Sequence, residues 1–461
     1  MHIPGVRWGL IRRPLPVFFC LLILGITSRP EAAGDAPARD GFQKILQESL
    51  ETLWTGREVG PELKRRQQSM LNNGAVAKVD LESMAKTALT TIMDRHKTSR
   101  YIQKDLPERF NALFSPHINK KEFKQILWRA LTSPIQGKEP FQIRIGTLAP
   151  PGTPWLTVPE TSTIPEIETL SGGKILIKIY GGGVMGEDPE ILKKMKDDQV
   201  DGCGCTALGV LTASPDASAL LIPGLFKNYE EVDYICEKFR PDLDRVFEEK
   251  GYILAALIDT GFFYLFSKNA VTGLTDMKSQ KVATWFGTVE TALYQELGIV
   301  PIPVTTPELV TALSTNVVTT NLSPAAWVLG MQAHQYCRYY LKPPLLYSPA
   351  AVIVSTRMRD RLQKQIGISD VFAWNIQEVM VSEFNGLEPE WKAQIRSYEE
   401  KSLMAFETKC GIQPVVLSPQ DQQVIEKAGT SLQQKLAGKV FSAKLMNDIQ
   451  KALEAYRAQK Q

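Results

Sequence analysis

Histidine is scarce, with four in 461 residues. Histidine is the side chain most often used for general acid–base catalysis. Neither the nucleophile elbow G-x-S-x-G nor the zinc helix H-E-x-x-H occurs, so the inventory speaks against a hydrolase. Charge imbalance is also small. The formal net charge is +3, from 53 basic and 50 acidic residues. The basic residues lie beside acidic ones along helical patterns rather than among aromatics, which sets nucleic acid aside as a partner. Beyond the N-terminal apolar segment, no stretch reaches the roughly 18 apolar residues of a spanning helix. Six cysteines without a repeating spacing do not make a disulfide framework or a four-ligand zinc site. Cys203 and Cys205 share a strand face, and His334 and Cys337 share a helical face. Neither pair has a second matching pair, so buried small side chains are the expected reading, and the oxidation state of Cys203 and Cys205 stays open. No metal and no cofactor is expected.

What is present begins with Arg7, Arg12 and Arg13, an apolar run from Leu15 to Ile26, and the small residues Ala32, Ala33 and Gly34. This is the layout of a secretory signal peptide, with cleavage expected near Gly34 and release into the periplasm. The remaining chain exceeds what one core usually serves. Residues 35–138 show only helical periodicity, as in Phe42, Ile45, Leu46, Leu50, Leu53 and Trp54, or Phe123, Ile126, Leu127, Ala130 and Leu131. The linker Ser133-Pro134-Ile135-Gln136-Gly137 closes this expected N-terminal all-α domain, and residues 139–461 form the second.

From Phe141 the pattern changes to alternation. Phe141, Ile143 and Ile145 face one way and Gln142 and Arg144 the other. Strands then alternate with helices. Asp188-Pro189 opens one helix, Asn228 with Glu231 caps another, and Gly298 stops one that begins at about Thr288. Such alternation predicts an α/β fold with a mostly parallel sheet covered on both faces. Gly181, Gly183 and Gly186 match G-x-G-x-x-G after a strand, with Asp201 downstream. The helix opens only after the third glycine, at Asp188-Pro189, which does not fit a dinucleotide fingerprint.

Three blocks carry a resemblance: Met185-Gly186-Glu187-Asp188-Pro189-Glu190 through Val200-Asp201-Gly202, Leu274-Thr275-Asp276-Met277-Lys278-Ser279-Gln280-Lys281-Val282, and Pro307-Glu308-Leu309-Val310-Thr311-Ala312-Leu313. Their order and spacing resemble the solute-binding proteins of TRAP transporters, from about residue 141 to the C-terminus. The resemblance implies a two-lobed, hinged periplasmic-binding-protein fold that captures a small molecule, performs no catalysis, and delivers its cargo to a TRAP-type permease. The early helices, around Val79 to Ala85 and Pro107 to Phe110, faintly resemble phospholipid-shuttle proteins of the MlaC kind.

The chain departs from the TRAP pattern where a carboxylate would be held. Family members carry arginines at positions that here are Phe263 and Ala283, and an aspartate–glycine pair and an asparagine where this chain has Thr319, Thr320 and Ser323. An arginine–carboxylate contact contributes about 1.5–3 kcal/mol, so losing both guanidinium groups removes the usual means of holding an organic acid. Aromatic residues stand nearby. The candidate ligand-binding residues are Trp155, Phe262, Phe263, Ala283, Trp285, Phe286, Ser323 and Trp327. Strand geometry forbids Phe262 and Phe263 from facing the same side. The expected cargo is mainly apolar or lipid-like. A lipid or sterol shuttle without a TRAP permease is the alternative.

Overall fold

The computed structural model describes residues 36–72, 78–285 and 287–460. The signal segment and Phe286 lie outside the described residues.

Five helices open the chain: α1 (Ala36–Trp54), α2 (Pro61–Asn72), α3 (Lys78–Arg95), α4 (Arg100–Phe114) and α5 (Lys120–Leu131). Local chemistry fixes their starts. The Ser99 side chain accepts from Ile102 N–H, and Asn119 and Glu122 form a reciprocal capping box. Phe110 stacks between Phe114 and Phe123 at 4.2 and 3.9 Å, tying α4 to α5.

Ten strands follow: β1 (Phe141–Thr147), β2 (Ile175–Tyr180), β3 (Gly202–Cys205), β4 (Tyr252–Ser267), β5 (Val282–Thr284), β6 (Pro301–Pro303), β7 (Thr320–Pro324), β8 (Tyr339–Lys342), β9 (Leu346–Ser355) and β10 (Gln413–Val416). They form one sheet in the order β2-β1-β3-β9-β4-β7-β5-β6, with β8 joining β4 to β10. The outer pairs are parallel, but β3–β9, β9–β4 and β4–β7 are antiparallel. The expectation of a mostly parallel sheet is therefore corrected at its centre. The two longest strands, β4 and β9, lie at the centre between two lobes, one built on β2-β1-β3 and the other on β7-β5-β6. The described residues contain no helix long and apolar enough to cross a membrane.

Period-two alternation sorts the central strands into two cores. Val352 and Val354 of β9 enter one, and Ala351 and Ile353 the other. A register shift between Leu254 and Ala256 puts both Ala255 and Ala256 on the first face. That first core is continuous with the core of α1–α5. A single helix, Asp370–Thr408, joins them and then runs on to the second lobe. Arg100 of α4 is buried against it, donating to both Glu378 oxygens at 2.9 and 3.1 Å and to Glu248 at 3.1 Å. The N-terminal helices thus brace the first lobe and share its core.

Several local expectations hold. The Asn228 side chain caps the Tyr229–Lys238 helix through Glu231 N–H, and Gly298 ends the Thr288–Leu297 helix at φ 67°. One shifts: Glu187, not Asp188, caps the Asp188–Lys196 helix, which leaves the Asp188 carboxylate free for another task.

Candidate functional site

At the carboxyl ends of β1 and β3 the sheet leaves a narrow cavity. Its floor is sheet: Ile145 and Thr147 of β1, Gly204 and Cys205 of β3, Ile258 and Thr260 of β4, and Ala350 to Val352 of β9. Trp155, Leu156 and Pro159 of the Pro154–Thr161 helix cover it. Phe384 and Trp391 of the long helix close one side, and Trp327 of the Ala325–Gly330 helix brings in the second lobe. Among the described residues, none of this wall carries an ionisable side chain, because Cys205 is bonded to Cys203. The oxidation state that the sequence left open is a bridge: the two cysteines are joined, on a strand that puts both on one face, and both are buried.

The wall's polar side chains are almost all engaged by protein. Thr147 Oγ1 donates to Gly204 C=O at 2.7 Å and Thr260 Oγ1 to Pro349 C=O at 2.9 Å. Thr206 Oγ1 donates to Asp188 at 2.6 Å. Trp155 Nε1 donates to Asp259 C=O at 2.8 Å, and Trp391 Nε1 to Pro154 C=O at 2.9 Å, which pins both rings. Trp327 Nε1 is buried without a partner.

Behind the wall stand three buried carboxyls. Asp188 also accepts from the backbone N–H groups of Thr206 and Gly209, at 2.8 and 3.0 Å. Burial pushes it up to about 6, against the pull of those bonds. Glu399 of the long helix accepts from the N–H groups of Ala325 and Ala326, the first turn of the helix that carries Trp327. Burial pushes it up to about 8. Asp259 accepts from Tyr347 Oη at 2.6 Å and Arg396 Nε at 2.7 Å. The other guanidinium nitrogens of Arg396 bind Asp233, and the group lies over the Tyr229 ring at 4.2 Å. That guanidinium is therefore occupied.

The structure brings together some of the candidate residues and separates others. Trp155 and Trp327 both line the cavity, ring centroids 5.9 Å apart. Trp285 stacks on Trp327 at 6.3 Å and Phe263 on Trp285 at 5.8 Å, an aromatic file leading away from the wall into the second lobe. Phe262 lies among Tyr229 and Tyr347 instead, so the two adjacent phenylalanines take different neighbours, as strand geometry requires. Ala283 is fully buried in a separate core with Phe266 and Leu309. Ser323 is buried on β7 opposite Tyr264. Thr206, Thr260, Phe384 and Trp391 were not anticipated as wall residues. Trp391 and Phe384 belong to a helix far along the chain, and no local motif marks them.

Residues 146–439, well over half of the chain, match the family described as bacterial extracellular solute-binding protein, family 7. Solved structures share the architecture. A TRAP periplasmic solute-binding protein from Desulfovibrio salexigens with bound orotic acid superposes with a TM-score of 0.60 at 17% identity, covering 68% of this chain and 99% of its own. A sugar acid binding protein from Advenella mimigardefordensis in complex with galactonate gives 0.60 at 18% identity, covering 69% and 99%. A TRAP periplasmic solute-binding protein from Ochrobactrum anthropi, with its C-terminus bound in the ligand-binding pocket, gives 0.57 at 23% identity, covering 70% and 97%. The fold agrees with the family match: this chain belongs to the DctP family, the bacterial extracellular solute-binding proteins of family 7.

Proposed function

We propose that this chain is exported to the periplasm with its leader removed near Gly34, captures a small, mainly apolar or lipid-like molecule between its lobes, and hands it to a TRAP-type permease. Capture and release are the whole of its work, and no covalent step is involved. One observation carries the choice of ligand: among the described residues, no ionisable side chain stands in the wall of the cavity that Trp155 and Trp327 share. Two proteins of this fold named above hold acids, orotic acid in one and galactonate in the other. The resemblance aligns Phe263 and Ala283 with the family's arginines, both buried outside the cavity wall, and Arg396 is held by Asp233 and Asp259. Each Å2 of apolar surface removed from water contributes roughly 25 cal/mol, so a molecule burying about 200 Å2 gains on the order of 5 kcal/mol before ordering costs.

Trp155 and Trp327 are the proposed ligand contacts, with Trp285 and Phe263 as the stack that holds Trp327 in place. The test is extraction of the purified full chain with organic solvent and mass spectrometry of what co-purifies. A neutral, apolar compound in near-stoichiometric amount is expected. A lone sugar acid or dicarboxylate would overturn the reading.

A further inference from the structure

Among the polar side-chain atoms of the wall's described residues, Trp327 Nε1 is the one without a protein partner. The indoles of Trp155 and Trp391 each have a carbonyl, and the threonine hydroxyls of Thr147, Thr206 and Thr260 each have an acceptor. A buried N–H left unmet is costly, and a group in a cavity wall can be met by whatever fills the cavity. Stacking on Trp285 and the edge contact with Trp155 leave the Trp327 ring little freedom to turn elsewhere.

The surroundings set the charge of the occupant. Thr206 in the wall is bonded to Asp188, and the helix of Trp327 is capped by Glu399. Both carboxyls are raised by burial, and neither has a cationic partner. Asp259, behind Trp155, is matched by Arg396. A further carboxylate brought into this region meets no positive charge that is not already paired, and loses its hydration.

We infer that the occupant is a neutral molecule, apolar over most of its surface, with one hydrogen-bond acceptor such as a ketone or ester oxygen that meets Trp327 Nε1. The site discriminates against the matching carboxylate. The inference rests on the apolar reading above and adds the polarity and position of the ligand's single polar group.

Calorimetric titration of the full chain with three probes of similar size tests it: acetophenone, ethylbenzene and benzoate. Acetophenone is expected to bind about 2–10-fold more tightly than ethylbenzene, the range of one neutral hydrogen bond, and benzoate at least about tenfold more weakly than either. In Trp327→Phe, which keeps a ring on Trp285, the ratio of ketone to ethylbenzene affinity is expected to fall to about one. Benzoate binding tightest overturns the neutral-ligand inference. A ketone advantage that survives in Trp327→Phe overturns the anchor alone, leaving the apolar cavity in place. If none of the three binds and a sugar acid does, the apolar reading itself falls. Should the variant not fold, the ranking of the three probes on the unaltered chain still decides the charge preference.

Discussion

Gly261 and Glu399 show how tightly single residues are set around the cavity. Gly261 lies at φ 125°, and a Cβ there would stand 2.8 Å from Glu399 Oε2. Both the backbone and the space require glycine. Gly261→Ala is expected to lower stability by about 1–3 kcal/mol in urea denaturation. Glu399 makes a pH prediction. Its folded value, about 8, lies above its unfolded one, so the folded state holds the extra proton. The stability this contributes is complete below about pH 4.5 and is lost as pH rises to about 8, on the order of 1.4 kcal/mol for each pH unit crossed within that window. Glu399→Gln should flatten the stability profile over that window, and a profile as steep as that of the unaltered chain would contradict the assignment. At this scale the sequence was partly legible. Trp155 and Trp327 follow from their loop and proline neighbours, whereas the role of Glu399 depends on contacts across more than seventy residues, which no local pattern records.

Among the elements, the Asp370–Thr408 helix decides the arrangement. It carries Glu378 to Arg100, Phe384 and Trp391 to the cavity, Arg396 to Asp259, and Glu399 to the Trp327 helix. Removing Arg100 leaves Glu378 buried with its charge uncompensated. Arg100→Met is expected to cost about 3–5 kcal/mol, and adding Glu378→Gln should recover a large part of it. Full additivity in that double-mutant cycle would show that the pair is not coupled. Strand and helix positions from Phe141 onward were readable because burial alternates with period two in β1 and because caps such as Asn228 and Gly298 act locally. Strand direction was not readable in the same way. β4 and β9 are buried on both faces, so their sequences lack the alternation that distinguishes an antiparallel strand. The same double burial hides which of Phe262 and Phe263 belongs with Trp285.

The whole molecule is a family 7 binding fold with an additional helical brace on its first lobe. Its cysteines give a simple count. Cys236, Cys337 and Cys410 are free, and Cys203 is joined to Cys205. Burial pushes Cys236 up to about 11 and Cys337 up to about 12. For the chain lacking its first 34 residues, denaturation without reductant should expose three titratable thiols, and reduction should add the Cys203–Cys205 pair. Five thiols before reduction would contradict the bridge. The central claim is that the lobes close on a space without positive charge. The most direct measurement is the melting temperature of the full chain against rising concentrations of galactonate, glucuronate and pyroglutamate, with acetophenone in parallel, since a ligand that binds only the folded state raises the midpoint as its concentration passes Kd. The acids are predicted to leave the midpoint unchanged while the neutral ketone raises it. A saturable upward shift with any of the acids, and none with the ketone, would contradict the account.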